Sequence, residues 1–415
     1  MAMSYTSPGV YVQEVPSASK PIAGVSTSTA AFVSWFADTI QVSATADPVK
    51  DPGLTSKLAD FAVPTPAKTP VLITNWSGFV AAFGDLVGSS SLPATTSKAA
   101  VYDPNQRALA QAVYGFFNNG GGRCYVVRAA TSADLAAALA TLEPIDEISL
   151  VAAPVSIAAS DMATFNSTYS ALITHCSNAG GRFAILDGPD TATLTGFTAP
   201  LSSDLAAYYF PHIKVFDPAT KLTNPAGDGL LQVPPSGHLA GIFARVDDAR
   251  GVYKAPANEP ILGALGLTQA LSKNDQSGLN PAGVNCLRYL NGNYLVWGAR
   301  TLAGSGNTDL MYINVRRTLL FLRKSIEQGT SWIVFEPNTP ALWQKIILNV
   351  EAFLTGVWRD GALFGTTAKE AFYVKCDAEL NPQAQRDLGI VVTEIGVAIV
   401  RPAEFVVFRI SQMAS

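Results

Sequence analysis

The chain has 415 residues, of which 48% are apolar and 14% are charged, and its formal net charge is −4. A soluble domain usually carries about 25% charged residues, so burial against other copies of the protein would explain the shortage. The negative charge gives no support for nucleic-acid binding. The apolar runs fall far short of the ~18 residues that cross a membrane, so we expect no direct membrane insertion.

The N-terminus and the cysteines indicate the compartment. The first ten residues lack the basic and apolar regions of a signal peptide, so we expect synthesis and assembly in the cytoplasm. The cysteines are too widely spaced for a zinc knuckle or a CxxC pair. We therefore expect buried, reduced thiols at Cys124, Cys176, Cys286 and Cys376.

The first predicted element is a short strand bracketed by Pro8-Gly9 and Pro16. This strand has no sequence-adjacent partner and is too short to be stable alone, so it must dock on another element or another copy. A Ser/Pro/Gly stretch follows it, and residues 1–30 are predicted to form an N-terminal arm and tether. Residues 38–70 are rich in Pro, Thr, Ala and Asp, and we expect a loop or insertion there.

Helices and strands alternate after Arg107. The helix "RALAQAVYGFF" is followed by the strand "RCYVVRA", the helix "ADLAAALATL" and the strand "ISLVAA". A helix over residues 161–176 leads to the strand "RFAILD", and a further helix leads to "HIKVFD". This alternation predicts a mainly parallel sheet with helices on its faces. A Pro/Gly-rich stretch, residues 217–235, is the predicted end of a first, α/β domain that begins at residue 31.

Residues 236–400 are predicted to form a second domain. Helices are expected from Ser236 and over Tyr312 to Ile326, followed by the strand "SWIVFE". Thr339 and Pro340 begin another helix, and Thr367 with Glu370 suggests a capping box. The apolar stripe of the helix that begins at Pro340 is predicted to comprise Leu342, Ile346, Val350, Phe353 and Val357. Three strand signals close the chain, with residues 401–415 as a C-terminal arm; the fold class is therefore α/β with mixed α+β parts.

The sequence contains no recognisable catalytic, cofactor or metal signature. Gly120-Gly121-Gly122 lacks the rest of a P-loop, no G-x-S-x-G elbow occurs, and His175, His212 and His238 occur singly. Asp187 ends a predicted parallel strand, where α/β enzymes often place a carboxylate. A turn-capping role for Asp187 is the alternative. We expect no catalytic residues, no cofactor and no metal, and an α/β enzyme with its site near Asp187 stays open as a rival.

Long phrases of the chain resemble the contractile tail sheath proteins of myophages and of phage-tail-like extracellular contractile injection systems. They are "SPGVYVQEVPSASKPIAGVSTSTAAFV", "GHLAGIFARVDDARGVYKAPANEPILGALGL", "YINVRRTLLFLRKSIEQGTSWIVFEPN", "ALWQKIILNVEAFLTGVWRDGALFG" and "EIGVAIVRPAEFVVFRI". The resemblance implies an inner domain built from both ends of the chain, an inserted outer α/β domain and two extended arms. It also implies a structural subunit that stacks in helical rings around an inner tube and contracts to drive that tube through a cell envelope.

In such proteins each arm adds a strand to a sheet of a neighbouring subunit. The implied N-terminal donated strand comprises Val10, Tyr11, Val12, Gln13, Glu14 and Val15, and the C-terminal one comprises Phe405, Val406, Val407, Phe408, Arg409 and Ile410. The implied receiving strands comprise Phe372, Tyr373, Val374, Lys375 and Cys376, and Ile390, Val391, Val392, Ile395, Val397 and Ile399. An intrachain hairpin with Arg401-Pro402-Ala403-Glu404 as its turn is the alternative for the C-terminal strand.

The implied partners are the chain itself, an inner tube protein, and baseplate and terminal cap proteins; whether sheath paralogues share the tube stays open. Lys345, Glu351, Arg359 and Asp360 are candidates for tube contact, with a solvated helix face as the alternative. A capsid-like shell protein is a further rival. Electron microscopy separates hollow tubes from closed shells and from the dispersed particles of an enzyme.

Overall fold

The computed structural model describes residues 21–45, 49, 56–84, 103–190, 201–217, 220 and 226–407. The predicted N-terminal strand, Val10–Val15, lies outside the described residues, as do Phe408, Arg409 and Ile410 of the predicted C-terminal strand.

The described chain forms two compact units. The larger comprises the described residues from 24 to 324 and from 399 onward, and the smaller comprises residues 21–23 and 325–398. The boundary predicted at residues 235/236 does not coincide with this division, because the helix that begins at Ser236 packs within the larger unit. The predicted assignment of outer and inner domains in the assembled protein stays a prediction.

A nine-stranded sheet is the centre of the larger unit, with the strand order β11-β14-β13-β8-β7-β6-β1-β5-β4. Strands β5, β1, β6, β7, β8 and β13 run parallel to one another, as the alternation predicted. Strand β4 pairs antiparallel with β5, β14 pairs antiparallel with β13, and β11 pairs antiparallel with β14. The strands are β1 Ala30–Trp35, β4 Val71–Ile73, β5 Cys124–Ala129, β6 Leu150–Ala152, β7 Phe183–Asp187, β8 Ala206–Phe210, β11 Glu259–Pro260, β13 Val284–Leu290 and β14 Asn293–Trp297.

Two smaller sheets also belong to this unit. Strands β9 Ile213–Phe216, β10 Leu230–Val233 and β12 Ala264–Leu267 form one. Strands β2 Thr39–Thr45 and β3 Ser56–Ala62 form an antiparallel pair, so the segment predicted as a loop or insertion contains two strands.

Helices cover both faces of the large sheet. Alternate residues of β1 enter different cores: Phe32 lies in the cluster with Leu109 of α2, and Val33 lies in the cluster with Leu172 of α4. The helices are α1 Trp76–Phe83, α2 Pro104–Asn118, α3 Leu135–Ala140, α4 Met162–Ala179, α5 Ser236–Arg250, α6 Lys273–Leu279 and α7 Ile313–Gly329. The division between the two units falls within α7, between Lys324 and Ser325.

Helices α2 and α5 approach closely because α5 carries glycine at the contact. A Cβ atom on Gly237 would lie 2.3 Å from Cα of Ala112, and one on Gly241 would lie 2.4 Å from the carbonyl oxygen of Phe116. Real Cβ atoms essentially never approach heavy atoms so closely. The two glycines therefore set the distance between these helices.

The described residues just before β9 contain β8, which pairs in parallel with β7. The rest of the segment predicted as a further helix, residues 191–200, lies outside the described residues. One sequence expectation was wrong. The predicted strand "SWIVFE" is a single 3₁₀ turn, Ser331–Ile333. Phe335 in that segment has φ 70°, which an extended strand cannot accommodate.

The smaller unit contains a long helix and a two-stranded antiparallel ribbon. Its elements are α8 Pro340–Arg359, α9 Ala368–Ala371, β15 Phe372–Lys375, α10 Gln383–Asp387 and β16 Glu394–Val397. Thr339 caps α8 and the capping box of Thr367 with Glu370 is present, which confirms both predicted helix starts.

The four cysteines are free and buried, as predicted. In the parts of the chain that the structure describes, none of the helices combines the length and the hydrophobicity needed to cross a membrane.

Candidate assembly site

Among the described residues of the C-terminal segment, Glu404 is the last one that the body of the chain holds by side-chain hydrogen bonds. Arg300 donates from Nε to Oε1 (2.9 Å) and from Nη2 to Oε2 (2.8 Å). Asn280 Nδ2 donates to Oε1 (2.7 Å) and the Tyr312 hydroxyl donates to Oε2 (2.9 Å). Burial alone would raise the pKa of Glu404, but these donors outweigh it and the pKa lies below its ordinary value of 4.5. The carboxylate is therefore held in its ionised form.

The receptor for Glu404 has its own supports. Arg300 also donates to the carbonyl oxygen of Asn280 (3.2 Å) and to the Ser305 hydroxyl (3.0 Å). The Arg300 backbone N–H donates to Asn285 Oδ1 (2.8 Å), and only 7% of the Arg300 side chain is exposed. Arg300 is thus positioned independently of the carboxylate that it binds.

The apolar run that follows Glu404 is exposed. Phe405, Val406 and Val407 are 73%, 67% and 79% exposed, and their backbone is in no strand. The intrachain hairpin considered for this segment is therefore absent from its described part. An exposed run of three large apolar residues is a surface that a partner would cover.

The N-terminal segment is held in a similar way at Thr27. The Thr27 hydroxyl donates to Asp247 Oδ2 (2.6 Å), and its carbonyl oxygen accepts from Arg317 Nη2 (2.9 Å). Arg317 and Asp247 form a two-point ion pair, with distances of 2.9 and 2.5 Å, in which both side chains are 3% exposed. The Arg317 guanidinium also lies 4.8 Å from the ring centre of Phe243.

The predicted receiving strands form the ribbon of β15 and β16. Tyr373 lies opposite Gly396, and a Cβ on Gly396 would lie 2.1 Å from the Tyr373 ring. The Tyr373 hydroxyl donates to Glu394 Oε1 (2.5 Å). The Tyr373 ring thus occupies the space that the glycine leaves, which fixes the register of the two strands.

The second receiving strand is shorter than predicted, which is a correction. Ile390, Val391, Val392 and Ile399 lie outside β16, and Cys376 follows the end of β15. The Asn381 side chain accepts from the Val392 N–H (2.7 Å) and donates to the Val392 carbonyl (3.0 Å). Because Asn381 occupies both backbone groups of Val392, no strand ladder forms there.

The tube-contact candidates share one property. Lys345, Glu351, Arg359 and Asp360 are all at exposed positions of α8 or directly after it. Of the predicted apolar stripe, Leu342, Ile346, Val350 and Val357 are buried, and Phe353 is half-buried. The exposed face of the helix thus carries these charges together with the exposed Leu348, opposite its packed face.

Asp187 caps a helix in the core. Its carboxylate accepts the Ser236 N–H at the start of α5 (2.7 Å), and its backbone carbonyl accepts the Tyr169 hydroxyl. Burial raises the pKa of Asp187 to about 7, although the bond from Ser236 lowers it. The predicted turn-capping role is thus replaced by capping of a helix 49 positions away.

The three histidines, which occur singly in the sequence, have structural roles. The His175 ring nitrogen Nε2 lies 2.6 Å from Nη1 of Arg182, and His212 Nε2 lies 2.8 Å from the Gly188 carbonyl. Burial lowers the pKa of His175 and of His238 to about 4. Among the described residues, no group of three or more His, Cys, Asp or Glu side chains could hold a metal ion.

Comparisons with known proteins identify the class of assembly. Residues 128–302 match the family model of the phage tail sheath protein central domain, and residues 305–413 match that of the phage tail sheath C-terminal domain. The chain belongs to the phage tail sheath protein family.

Individual relatives agree. The tail sheath protein of Burkholderia phage BcepMu is 28% identical over 242 residues, which are 54% of this chain and 48% of that protein. The chain spans about half the length of the curated relatives it matches. A chain of the anti-feeding prophage baseplate structure is 27% identical with a TM-score of 0.71, covering 99% of this chain and 100% of that one. The contracted sheath complex of the extracellular contractile injection system PVC is 25% identical, also with a TM-score of 0.71, covering 99% of each chain.

Sequence reasoning missed Arg300 and Arg317, the residues that hold Glu404 and Thr27 in place. Arg300 stands in the phrase "VWGARTL", and Arg317 stands in "YINVRR". A charged residue inside a largely apolar phrase was the available signal. Its partner could not be read from the sequence, since Glu404 and Asp247 lie 104 and 70 positions away.

Proposed function

We propose that the chain is the polymerising subunit of a contractile tail sheath, stacking in helical rings around an inner tube and shortening to drive that tube through a target envelope. The family membership supports this, as do structural relatives described as a contracted sheath and a baseplate. The particle is a phage tail or an extracellular injection system, assembled in the bacterial cytoplasm.

The exposed run after Glu404 is the observation that carries the proposal. Glu404 is fixed to its own subunit, whereas Phe405–Val407 are exposed and unpaired. Apolar and β-branched residues suit a strand that is covered by a neighbour. The C-terminal strand, Phe405 to Ile410, is therefore donated to another subunit, and Val10 to Val15 are donated likewise.

The ribbon of β15 and β16 is the receiving surface. Within the described residues this sheet has only two strands, and two-stranded sheets are at best marginally stable in water. Its outer edges carry backbone groups that an added strand can pair with. Strand addition would thus complete the sheet and link two copies of the chain.

The exposed face of α8 contacts the inner tube. Lys345, Glu351 and Arg359 lie along this face and Asp360 follows it, and charged side chains of both signs favour a weak, sliding contact over a permanent one. Baseplate and cap proteins bind the ends of the assembled sheath. The subunit works without catalysis, because the energy of contraction is stored in the lattice of subunits.

Truncation tests the donated strand. Deleting residues 405–415 removes the exposed run and leaves Glu404 bound to Arg300. We expect a folded subunit that forms no tubes in negative-stain electron microscopy. Deleting only residues 411–415 is the matched control and should leave the tubes intact.

Two outcomes contradict the proposal. One is tube formation by the chain that lacks residues 405–415. The other is unfolding of that truncated chain as a monomer, which would show that the run stabilises its own subunit.

A further inference from the structure

In the larger unit, the described residues nearest to each chain end are held by one short segment. We define the N-terminal root as residues 24–29, the C-terminal root as residues 399–404, and the junction as Tyr312, Asn314 and Arg317 at the start of α7. Tyr312 donates to Glu404 (2.9 Å) and Asn314 Nδ2 donates to the Val400 carbonyl (3.1 Å). Arg317 donates to the Thr27 carbonyl (2.9 Å). Six consecutive residues thus hold both roots.

The hydrogen bonds at the N-terminal root hold their partners in a fixed orientation. Arg317 binds both oxygens of Asp247, and Thr27 binds both members of that pair. Two-point Arg–carboxylate pairs fix orientation as well as distance. With both partners 3% exposed, solvent screens this pair little.

Asn314 links the C-terminal root to the start of α7 and to the residues that follow α5. Asn314 Nδ2 donates to the Tyr253 carbonyl (2.8 Å) as well as to Val400. Asp247 stands on α5 and Tyr253 follows that helix. Arg300 and Tyr312 form a β-bridge, so the receptor of Glu404 is joined by backbone to the residue that precedes α7.

We propose that the junction couples the two arms, so that a displacement of one root is transmitted through the start of α7 to the other. The junction residues position the arms and do not bind the neighbouring subunit themselves. This inference rests on the proposed function for its purpose, since coupled arms let a pull from one neighbour reach another. The coupling itself is a property of the single subunit.

Amide hydrogen exchange on the full-length chain tests the coupling. Thr27→Val removes the hydroxyl donor at nearly the same shape, and Glu404→Gln removes the charge at the C-terminal root. Each variant should speed exchange at its own root, and also at the distant root, by about five-fold, the effect of losing one ordinary hydrogen bond. Thr27→Ser keeps the hydroxyl, and Glu379→Gln changes an exposed carboxylate; both controls should leave exchange at the two roots unchanged.

The double variant Thr27→Val with Glu404→Gln gives a second measure. Coupled sites give non-additive changes in exchange, and independent sites give additive ones. Exchange that rises only at the substituted root, with additive effects in the double variant, would overturn the inference.

Circular dichroism would reveal whether Glu404→Gln destabilises the whole subunit. If it does, Asn314→Ala serves as the test variant in its place. It removes the bonds to Tyr253 and Val400 and should speed exchange at both roots. Accelerated exchange at the C-terminal root alone would also overturn the coupling. All variants are compared in the same oligomeric state, which is checked by sedimentation. Failure to form tubes is therefore a separate result, and it bears on the proposed function.

Discussion

The Arg300 guanidinium donates to both carboxylate oxygens of Glu404, although 104 positions separate the two residues in the sequence. The contact fixes the last described residue before the exposed run Phe405–Val407. It therefore sets the position from which the proposed C-terminal arm begins.

Glu404→Ala should destabilise the subunit by about 2 kcal/mol, because hydrogen bonds to charged groups contribute about 1.5–3 kcal/mol. The Arg300 guanidinium would keep only its bonds to Asn280 and Ser305. Urea denaturation measures the change, with Glu379→Ala as the exposed control. A loss below about 0.5 kcal/mol, the range of ordinary surface substitutions, would mean that the contact contributes little in solution.

The contribution of Glu404 should depend on pH. Its pKa is lower in the folded chain than its ordinary value of 4.5, so its stabilisation is fully present above pH 4.5 and is lost as the pH falls through the folded pKa. The difference in urea midpoint between the parent chain and Glu404→Gln should be large at pH 7 and shrink below pH 4. A difference that is constant with pH would show that the charge is not responsible.

Asp187→Asn should have the opposite pH dependence. Burial raises the pKa of Asp187 from 3.8 to about 7, so ionisation costs stability as the pH rises through this interval. Asparagine can still accept the Ser236 N–H but cannot ionise. We expect the variant to be more stable than the parent at pH 8, on the order of a few kcal/mol, with little difference at pH 4.

Asp161→Asn is the control for Asp187→Asn. Asp161 caps α4 at the surface, and its bonds to Thr164 lower its pKa, so this variant should lose stability at neutral pH. Thermal unfolding across pH measures both variants. An Asp187→Asn chain that is less stable than the parent at pH 8 would contradict the burial argument.

Arg317→Leu should destabilise the chain by about 3–5 kcal/mol, because it leaves the Asp247 carboxylate buried without its partner. The double variant with Asp247→Leu should regain most of that loss, since no unpaired charge remains. Urea denaturation of the two single variants and the double variant checks this. Equal losses in the single and double variants would show that packing around Phe243, and not charge pairing, dominates.

Gly237→Ala should cost about 1–3 kcal/mol, the range for an overpacked core, because the new Cβ would lie 2.3 Å from Cα of Ala112. Gly356→Ala in α8 is the control, since no heavy atom lies within 4 Å of its Cβ position. The control should be neutral or stabilising by up to about 1 kcal/mol. Calorimetry of both variants gives the comparison, and equal melting temperatures would contradict the close approach of α2 and α5.

Local patterns predicted local structure well. Thr339 with Pro340 predicted the start of α8, and four of the five predicted stripe residues are buried. The alternation of helices and strands predicted the parallel sheet. Each of these signals depends on neighbours within a few residues, so the sequence displays it directly.

Features that depend on distant residues were hidden. Asn381 shortens the strand predicted to receive an arm by binding Val392 from 11 positions away, and the positive φ of Phe335 breaks a run that composition alone marks as a strand. The partners of Arg300 and Arg317 lie in other parts of the chain. Contacts between distant residues leave no periodic pattern in the sequence, so they become visible only in the three-dimensional structure.

The N-terminal root leads directly into β1, an interior strand of the nine-stranded sheet. Strand β1 is hydrogen-bonded in parallel to β5 over six residue pairs and to β6 over three. A pull directed along β1 acts in shear, stressing the bonds on both sides together, whereas a strand at the edge can be unzipped one bond at a time. The proposed N-terminal arm is therefore joined to an interior strand that is loaded in shear, and we expect a pull on this end to drag the subunit without unravelling it.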